Sequence, residues 1–527
     1  MLHSSFRRAM PRTIAGGALL ALAGGLVVAP TLAAPALAAP PHTPTVDGST
    51  TEPQFWWNGF EGSVSDWQQS GASAWEFMDR EASNSAYGTD RRHTFTRASG
   101  TMAVAESKNA AFSGALTSAP IKVFKAGALE LRFDSHYLKR GAETQSGTVT
   151  AIFDGKKRVE IHRFSDADEE SAQPRVPFTV PNGTKTVQFE FAFESAAGGG
   201  SWRIDDVEVV RPLSELAADA APRAVVDVFS DVQGANAKLA GQVIPGLRAM
   251  SPSATTLLAN GDLTGNGTDK QYADYFAALD PAKGDQYGTV VSTIGNHEFY
   301  GANGSENYIG RFLDRTGMRA LGVDGANPAH AGLWGETLVD GELPLLWIGS
   351  EFHDYPAQTG NGPFVELSDE QFTWLSDRLA HWKSEGKPVV LASHHVFNDS
   401  VSGTYAKFYQ GDFGADTERL EALLADYPNV TVLTSHTHWS PLLNDWSVEQ
   451  RFDPTSNHGP TIVNTAAVTT QYGPSGDWNE KAVGGADPVG LRVELFEDRL
   501  RVSSYFFGAD AQGKEIKHVD VPLPAGQ

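Results

Sequence analysis

Five short stretches of this 527-residue chain end an apolar run with side chains that hold metal ions or carry protons. The run at 225–230 leads into Asp231-Val232-Gln233, and Thr255–Ala259 leads into Asn260-Gly261-Asp262. Gly288–Ile294 precedes Gly295-Asn296-His297-Glu298, Pro388–Ser393 precedes His394-His395, and Val430–Thr434 precedes Ser435-His436-Thr437-His438. Alone, each piece is a weak signal, since Gly-Asp is common in turns and a single His-x-His is common on surfaces. Together and in order they are not scatter. Ligands of open α/β sheets bind outside the carboxyl ends of the strands, and polar groups delivered there must meet one another or go unsatisfied.

Other chemistries are excluded. The chain has no cysteine, which rules out disulfides, zinc–thiolate sites and a cysteine nucleophile. It has no Gly-x-Ser-x-Gly elbow, and the stretch from Gly261 to Lys270 lacks the Gly-Lys-Ser/Thr ending of a phosphate-binding loop. A net charge of −23 argues against tracking along the backbone of long nucleic acids, which needs basic patches.

The elements that must position these residues follow from the hydrophobic pattern. From Ala224 onward, apolar strands at 225–230, 255–259, 288–294, 345–349, 388–393 and 430–434 alternate with helical stretches at 236–250, 269–279, 305–315, 368–385 and 416–426. Ser368 with Gln371 reads as a capping box and Asp416 as a helix N-cap. Such alternation predicts α/β layering, and β-structure returns at 490–496 and 499–505. Residues 52–211 differ. Alternating runs at 128–133, 148–153, 186–193 and 201–209, punctuated by turns such as Pro181-Asn182-Gly183, predict an all-β sandwich. Residues 212–223 read as a linker, 39–51 as a flexible lead, and 224–527 as the domain that carries the chemistry.

The N-terminus has the parts of a signal peptide over 1–38. Arg7, Arg8 and Arg12 precede an Ala/Gly/Leu/Val run, and Ala36-Leu37-Ala38 offers a cleavage pattern. The sequence therefore predicts a secreted, extracellular protein without a stable membrane span once processed. Trp56, Trp57, Trp67 and Trp75 fit either a core or a sugar-stacking surface, and the acidic stretch 166–170 fits either a solvated loop or a Ca²⁺ site.

Taken together, the strand-end motifs resemble the calcineurin-like metallophosphoesterase superfamily, which includes purple acid phosphatases and many phosphodiesterases. The resemblance spans roughly 223–522. The strand Ser201-Trp202-Arg203-Ile204-Asp205-Asp206-Val207 resembles the closing strand of jelly-roll modules of carbohydrate-binding and MAM-like type, and so implies a carbohydrate or cell-surface partner. The first resemblance implies a four-layer α/β-β-α sandwich around a dinuclear centre of divalent or trivalent ions. By it, Asp262 bridges both ions. Asp231 and His438 hold the first, with Gln233 where histidine is usual. Asn296, His394 and His436 hold the second, with His395 as the alternative to His394. His297 is the non-ligand catalytic histidine, oriented by Glu298.

The implied reaction is hydrolysis of small phosphomono- or phosphodiesters by a metal-bound hydroxide, with two ions about 3.5–4 Å apart clamping the phosphate. Imidazole and carboxamide ligands favour Mn, Fe or Zn. Gln233 is a weaker donor than imidazole and predicts a looser first site, while Ser435 in place of glycine is a smaller departure. His353 and Tyr405 are further candidates for substrate contact, Tyr405 on a long loop at 397–415 that reads as a substrate-selecting segment. The competing reading is a non-catalytic, carbohydrate-binding extracellular protein on a degenerate scaffold, whose only support is Gln233.

Overall fold

The computed structural model describes residues 54–62, 64–140, 144–300, 305–352, 365–406, 409, 412–449 and 451–523. The expected signal peptide and lead, and His353, lie outside the described residues.

Strands of the chemistry-bearing half are numbered from its start. β1 (Ala224–Phe229), β2 (Thr256–Asn260) and β3 (Thr289–Thr293) pair in parallel. The hairpin β4–β5 (Gly335–Val339, Leu343–Trp347) leads to β6 (Val389–Ala392) and β7 (Val430–Thr434). Then come β8 (Ser447–Val448), β9 (Thr461–Asn464), the small hairpin β10–β11 (Tyr472–Pro474, Glu480–Ala482), and β12 (Val489–Leu495), β13 (Arg499–Phe507) and β14 (Gly513–Pro522). Two six-stranded mixed sheets result, in the orders β3-β2-β1-β12-β13-β14 and β4-β5-β6-β7-β9-β8.

Period-two alternation builds the layers. Val390 and Ala392 of β6 point into the core shared with β1 and β2, while Val389 and Leu391 point outward onto Leu375, Leu379, Leu420 and Leu424. Those leucines belong to helices Asp369–Ser384 and Thr417–Ala425. On the other side, Leu239, Val243, Leu247, Tyr272 and Tyr275 from segments 236–250 and Asp269–Lys283 cover the first sheet. The layers run helix, sheet, sheet, helix. Both faces of each central strand are buried, which is why β1, β2, β6 and β7 read as near-continuous apolar runs. Among the described residues no helix is long and apolar enough to cross a membrane.

Residues 54–210 form two antiparallel sheets packed around Phe133, Phe189, Phe191, Phe193 and Trp202. Trp67 and Trp75 belong to this core, and Trp56 packs against it half-buried. Trp57 donates its Nε1–H to Asp206 at 3.0 Å. In the acidic stretch, Asp168 and Glu170 both pair with Arg91, so an arginine supplies the positive charge there.

The sandwich meets the α/β half through buried polar groups. Arg97 donates to the carbonyls of Ser447 (2.5 Å) and Asn444 (3.1 Å) and pairs with Glu449. From the other side Arg451 donates to the carbonyls of Arg97, Thr96 and Asp399. Thr96 Oγ1–H donates to Asp445 and Thr89 Oγ1–H to Asp477. His93 packs between Tyr405 and Trp478, with ring centroids at 5.3 and 4.1 Å.

Candidate metal centre

The exits of β1, β2, β3, β6 and β7 converge. Beyond β1, Asp231 N–H donates to the Gly261 carbonyl and Val232 N–H to that of Asp262, which stitches the first two exits together. Five side chains there sit on left-handed backbone: Asp231 (φ 52°), Gln233 (46°), Asp262 (52°), His436 (61°) and His438 (57°). That conformation is disfavoured for residues with a Cβ, at about 1–3 kcal/mol each, and clusters at functional sites. Two glycines make room. A Cβ on Gly261 would stand 2.4 Å from His394 Nδ1, and one on Gly295 would stand 2.2 Å from Asp262 Oδ1.

Asp262 is at the centre and fully buried. Its Oδ1 accepts the His297 N–H at 2.9 Å, and its Oδ2 lies 3.4 Å from His394 Nε2. Two groups of ligand atoms share it. Asp231, Asp262 and His438 form one, and Asp262, His394 and His436 the other, with the atoms of each group within 4.8 Å of one another. His394 rather than His395 takes the position beside Asp262. His395 is buried behind it, its ring perpendicular at 5.1 Å. Asn296 stands beside the second group, its Oδ1 3.1 Å from His394 Nε2 while its amide N–H donates to the Tyr300 hydroxyl.

The hydrogen bonds at the far side of each ring decide what faces inward. His438 Nδ1 lies 3.0 Å from the Thr470 carbonyl, and His394 Nδ1 lies 3.0 Å from the Asn260 carbonyl. A carbonyl only accepts, so both Nδ1 atoms carry a proton and both Nε2 atoms point into the site, where a bound cation would take the place of a second proton. There they meet oxygen acceptors: Asp231 Oδ1 at 2.9 Å from His438, and Asn296 and Asp262 from His394. Neither Asp231 oxygen, buried as it is, receives a hydrogen bond of acceptable geometry. Acceptors converging in a buried space require a positive charge among them. The donor set of carboxylate, carboxamide and imidazole fits transition-metal cations.

Protonation follows the same logic. Burial opposes the His394 cation, but the Asp262 carboxylate outweighs it and raises the His394 pKa to about 10. Burial likewise opposes the Asp262 anion, yet His394 and His297 hold its pKa well below the usual carboxylate range. His436 is pushed well below the usual histidine range by burial and by His394.

Several sequence expectations need correction. Glu298 does not orient the His297 ring. Its buried carboxylate accepts the backbone N–H groups of Asp262, Gly295 and Thr264 at 2.9–3.0 Å and so holds the β2 and β3 exits together. The His297 ring is set instead by its Nδ1 at 3.0 Å from the Gly265 carbonyl and by the Tyr300 ring at 4.3 Å. Tyr405 is buried against Trp439 and His93, and the described residues of 397–415, expected as a substrate-selecting segment, pack inward. Gln233 does not present its oxygen. Its Nε2 donates to Asp262 Oδ2 at 2.8 Å and lies 3.3 Å from His438 Nε2. Ser435 has a task that glycine could not perform, since its Oγ lies 2.9 Å from His394 Nδ1 and 2.6 Å from the Asn260 carbonyl. Sequence reasoning passed over Tyr300, Asp412 and Glu480, which no motif marks, and it placed Tyr409 only on the loop at 397–415. Tyr409 packs edge-on to His436 at 5.1 Å and bonds Glu480 through its hydroxyl.

Comparison with known proteins adds to this geometry. Residues 224–440 match the family model for calcineurin-like phosphoesterases. A probable cyclic nucleotide phosphodiesterase of Rhodococcus erythropolis is 23% identical over 162 residues, covering 29% of this chain and 42% of that relative's own length. A dimetal phosphatase from Danio rerio is similar at 13% identity and a TM-score of 0.40, over 57% of this chain and 100% of its own. A carbohydrate-binding module solved with β-1,4-galactotriose is similar at 18% identity and a TM-score of 0.23, over 29% of this chain and 94% of its own.

Proposed function

We propose that this chain, whose residues 224–440 form a calcineurin-like phosphoesterase domain, hydrolyses small phosphate esters outside the cytoplasm with the help of two metal ions. The observation that carries the reading is the pair of buried ligand groups sharing Asp262, with the Asp231 carboxylate buried and 2.9 Å from His438 Nε2. Asp231, Asp262 and His438, with Gln233 beside them, would hold one ion, and Asp262, Asn296, His394 and His436 the other. When bound, such ions neutralise phosphate charge and supply an activated water for in-line displacement.

This chain's own residues do the rest. Glu298 fixes the loops that carry Asp262 and Asn296. Asn260 ties the two sheets together, its amide donating to the carbonyls of Ser393 and Leu433 at 3.2 Å. His297 is the most open of the site histidines, with a side-chain exposure of 28%. Its Nδ1 proton is committed to Gly265, so Nε2 is the atom that gives a proton to the leaving oxygen when the ring is protonated. Export rests on the N-terminal pattern of arginines, apolar run and Ala-Leu-Ala.

The test is turnover of p-nitrophenyl phosphate and bis-p-nitrophenyl phosphate by purified protein loaded with Mn²⁺, Zn²⁺ or Fe. The ratio of the two rates separates phosphomonoesterase from phosphodiesterase. No turnover of either with any metal would leave the non-catalytic, carbohydrate-binding reading standing.

A further inference from the structure

Asp412 lies on the segment between β6 and helix Thr417–Ala425, and it is 1% exposed. Its Oδ2 accepts the Val396 N–H at 3.1 Å and lies 3.7 Å from His436 Nε2. Its Oδ1 is buried without a hydrogen-bond partner. Among the described residues, His436 is the only ion-pair partner Asp412 has. The remaining sides of the His436 ring meet His394 at 5.2 Å, His395 at 5.6 Å and the edge of Tyr409 at 5.1 Å. A buried carboxylate therefore faces Nε2 of His436.

We propose that Asp412 is a positioning residue for the metal centre: it takes the Nε2–H of His436, fixes that tautomer, and leaves Nδ1 as the atom presented beside Asp262 and His394. A histidine that holds a metal donates its other N–H to such a partner, which sets the ring and makes the ligating nitrogen more basic. The same Asp412 oxygen receives the N–H of Val396, two residues past His394. One carboxylate thus sets two ligands of the same group. At 3.7 Å the contact is an ion pair rather than a close hydrogen bond, and the charge of the carboxylate favours the tautomer with its proton on Nε2.

The inference rests on the phosphoesterase reading, and the experiment separates the two. Full-length protein is stripped with chelator and titrated with Mn²⁺ and with Zn²⁺ by calorimetry, alongside Asp412→Ala and Asp412→Asn. Removing such a partner lowers metal affinity by about 10–100-fold. That loss is expected in Asp412→Ala for one of two binding events only, with the other unchanged and Asp412→Asn intermediate. In ¹⁵N spectra of metal-free protein, with His436 assigned through His436→Gln, the wild type shows the Nε2–H tautomer and Asp412→Ala a mixture. A folded Asp412→Ala with both affinities within twofold of wild type and an unchanged tautomer overturns the proposal. If that variant does not fold, an Asp412→Asn matching wild type in both readouts overturns it instead. A wild type that binds no metal overturns the phosphoesterase reading and this proposal with it.

Discussion

Replacing Gln233 with histidine tests the asymmetry of the two ligand groups most directly. In this structure the Gln233 amide nitrogen sits against two members of the Asp231–Asp262–His438 group, 2.8 Å from Asp262 Oδ2 and 3.3 Å from His438 Nε2. A cation entering that group repels the amide NH₂. To become a ligand, Gln233 must turn its carbonyl inward and give up a hydrogen bond to a carboxylate, which is worth about 1.5–3 kcal/mol. At about 1.4 kcal/mol per tenfold, the wild-type first site should be weaker than the second by one to two orders of magnitude. Histidine removes the penalty and adds an imidazole. The backbone accepts it, since His436 and His438 hold φ angles of 61° and 57° and Gln233 is at 46°. Calorimetric titration with Mn²⁺ and Zn²⁺, with bound metal counted by elemental analysis, should show two unequal events in the wild type. In Gln233→His the weaker event should strengthen about tenfold or more while the stronger one stays put. Equal affinities in the wild type, or an unmoved weak event in the variant, would refute the reasoning.

Other outcomes follow from the same geometry. Asp262→Asn removes the carboxylate common to both groups, so both binding events and all turnover should be lost, and stoichiometric uptake of either ion would contradict its shared role. Arg451→Met strands the buried carbonyls of Thr96 and Arg97 at the junction with the sandwich and the part-buried carbonyl of Asp399 and should cost about 3–5 kcal/mol; calorimetric unfolding within about 0.5 kcal/mol of wild type would show the junction to be slack. Asp227 is buried, bonded by the Tyr287 hydroxyl at 2.7 Å, and burial raises its pKa to about 7. Its proton is held more tightly in the folded state, so its contribution is full below pH 3.8 and is lost as pH rises toward 7, at up to about 1.4 kcal/mol per pH unit. Asp227→Asn should flatten the wild-type decline in stability across pH 5–7, and parallel pH profiles for the two proteins would reject the assignment.

The site was legible where local sequence dictates its placement. Asp231, Asp262, His394 and His438 each follow a strand buried on both faces, and such strands announce themselves as apolar runs; Asn296 follows the edge strand β3, whose last three residues are buried. β1, β2, β6 and β7 fall within about a residue of the expected spans. β9 is only four residues long, and the run at 461–464 acquires its identity from pairing with β7, thirty residues away; no local pattern marks it. Ser368 caps its helix as expected, accepting the Gln371 N–H at 3.2 Å. The reciprocal half fails because the Gln371 amide turns inward to the Gly349 carbonyl and Glu351. The full capping box is at Thr268 and Gln271, where Gln271 Oε1 accepts the N–H of Asn266 as well as that of Thr268. Glu298, Asp412 and Glu480 were opaque for a common reason. A buried carboxylate takes its role from whichever donors the tertiary fold brings, and the residue type alone does not name them.

That dependence on tertiary context extends to the sandwich. The ring of His93 touches Tyr405, Tyr405 meets the edge of Trp439 at 5.4 Å, and Trp439 Nε1–H donates to Glu480 at 2.7 Å. Glu480 also accepts from Tyr409, which packs on His436. Glu480 stands on the β10–β11 hairpin, and the loop before it carries Asp477 and Trp478, both held by sandwich residues. Two segments of the α/β half that touch the metal centre are therefore anchored on their far side by residues 89–97. The chain of contacts runs unbroken from His93 to His436. It means that the left-handed backbone at His436 and His438 is held by a frame extending beyond the α/β half, and strained sites persist only where the surrounding structure over-determines them. On this view the sandwich contributes rigidity to the centre whatever else it binds, which accounts for Arg97 facing the junction while Trp67 and Trp75 lie in the core.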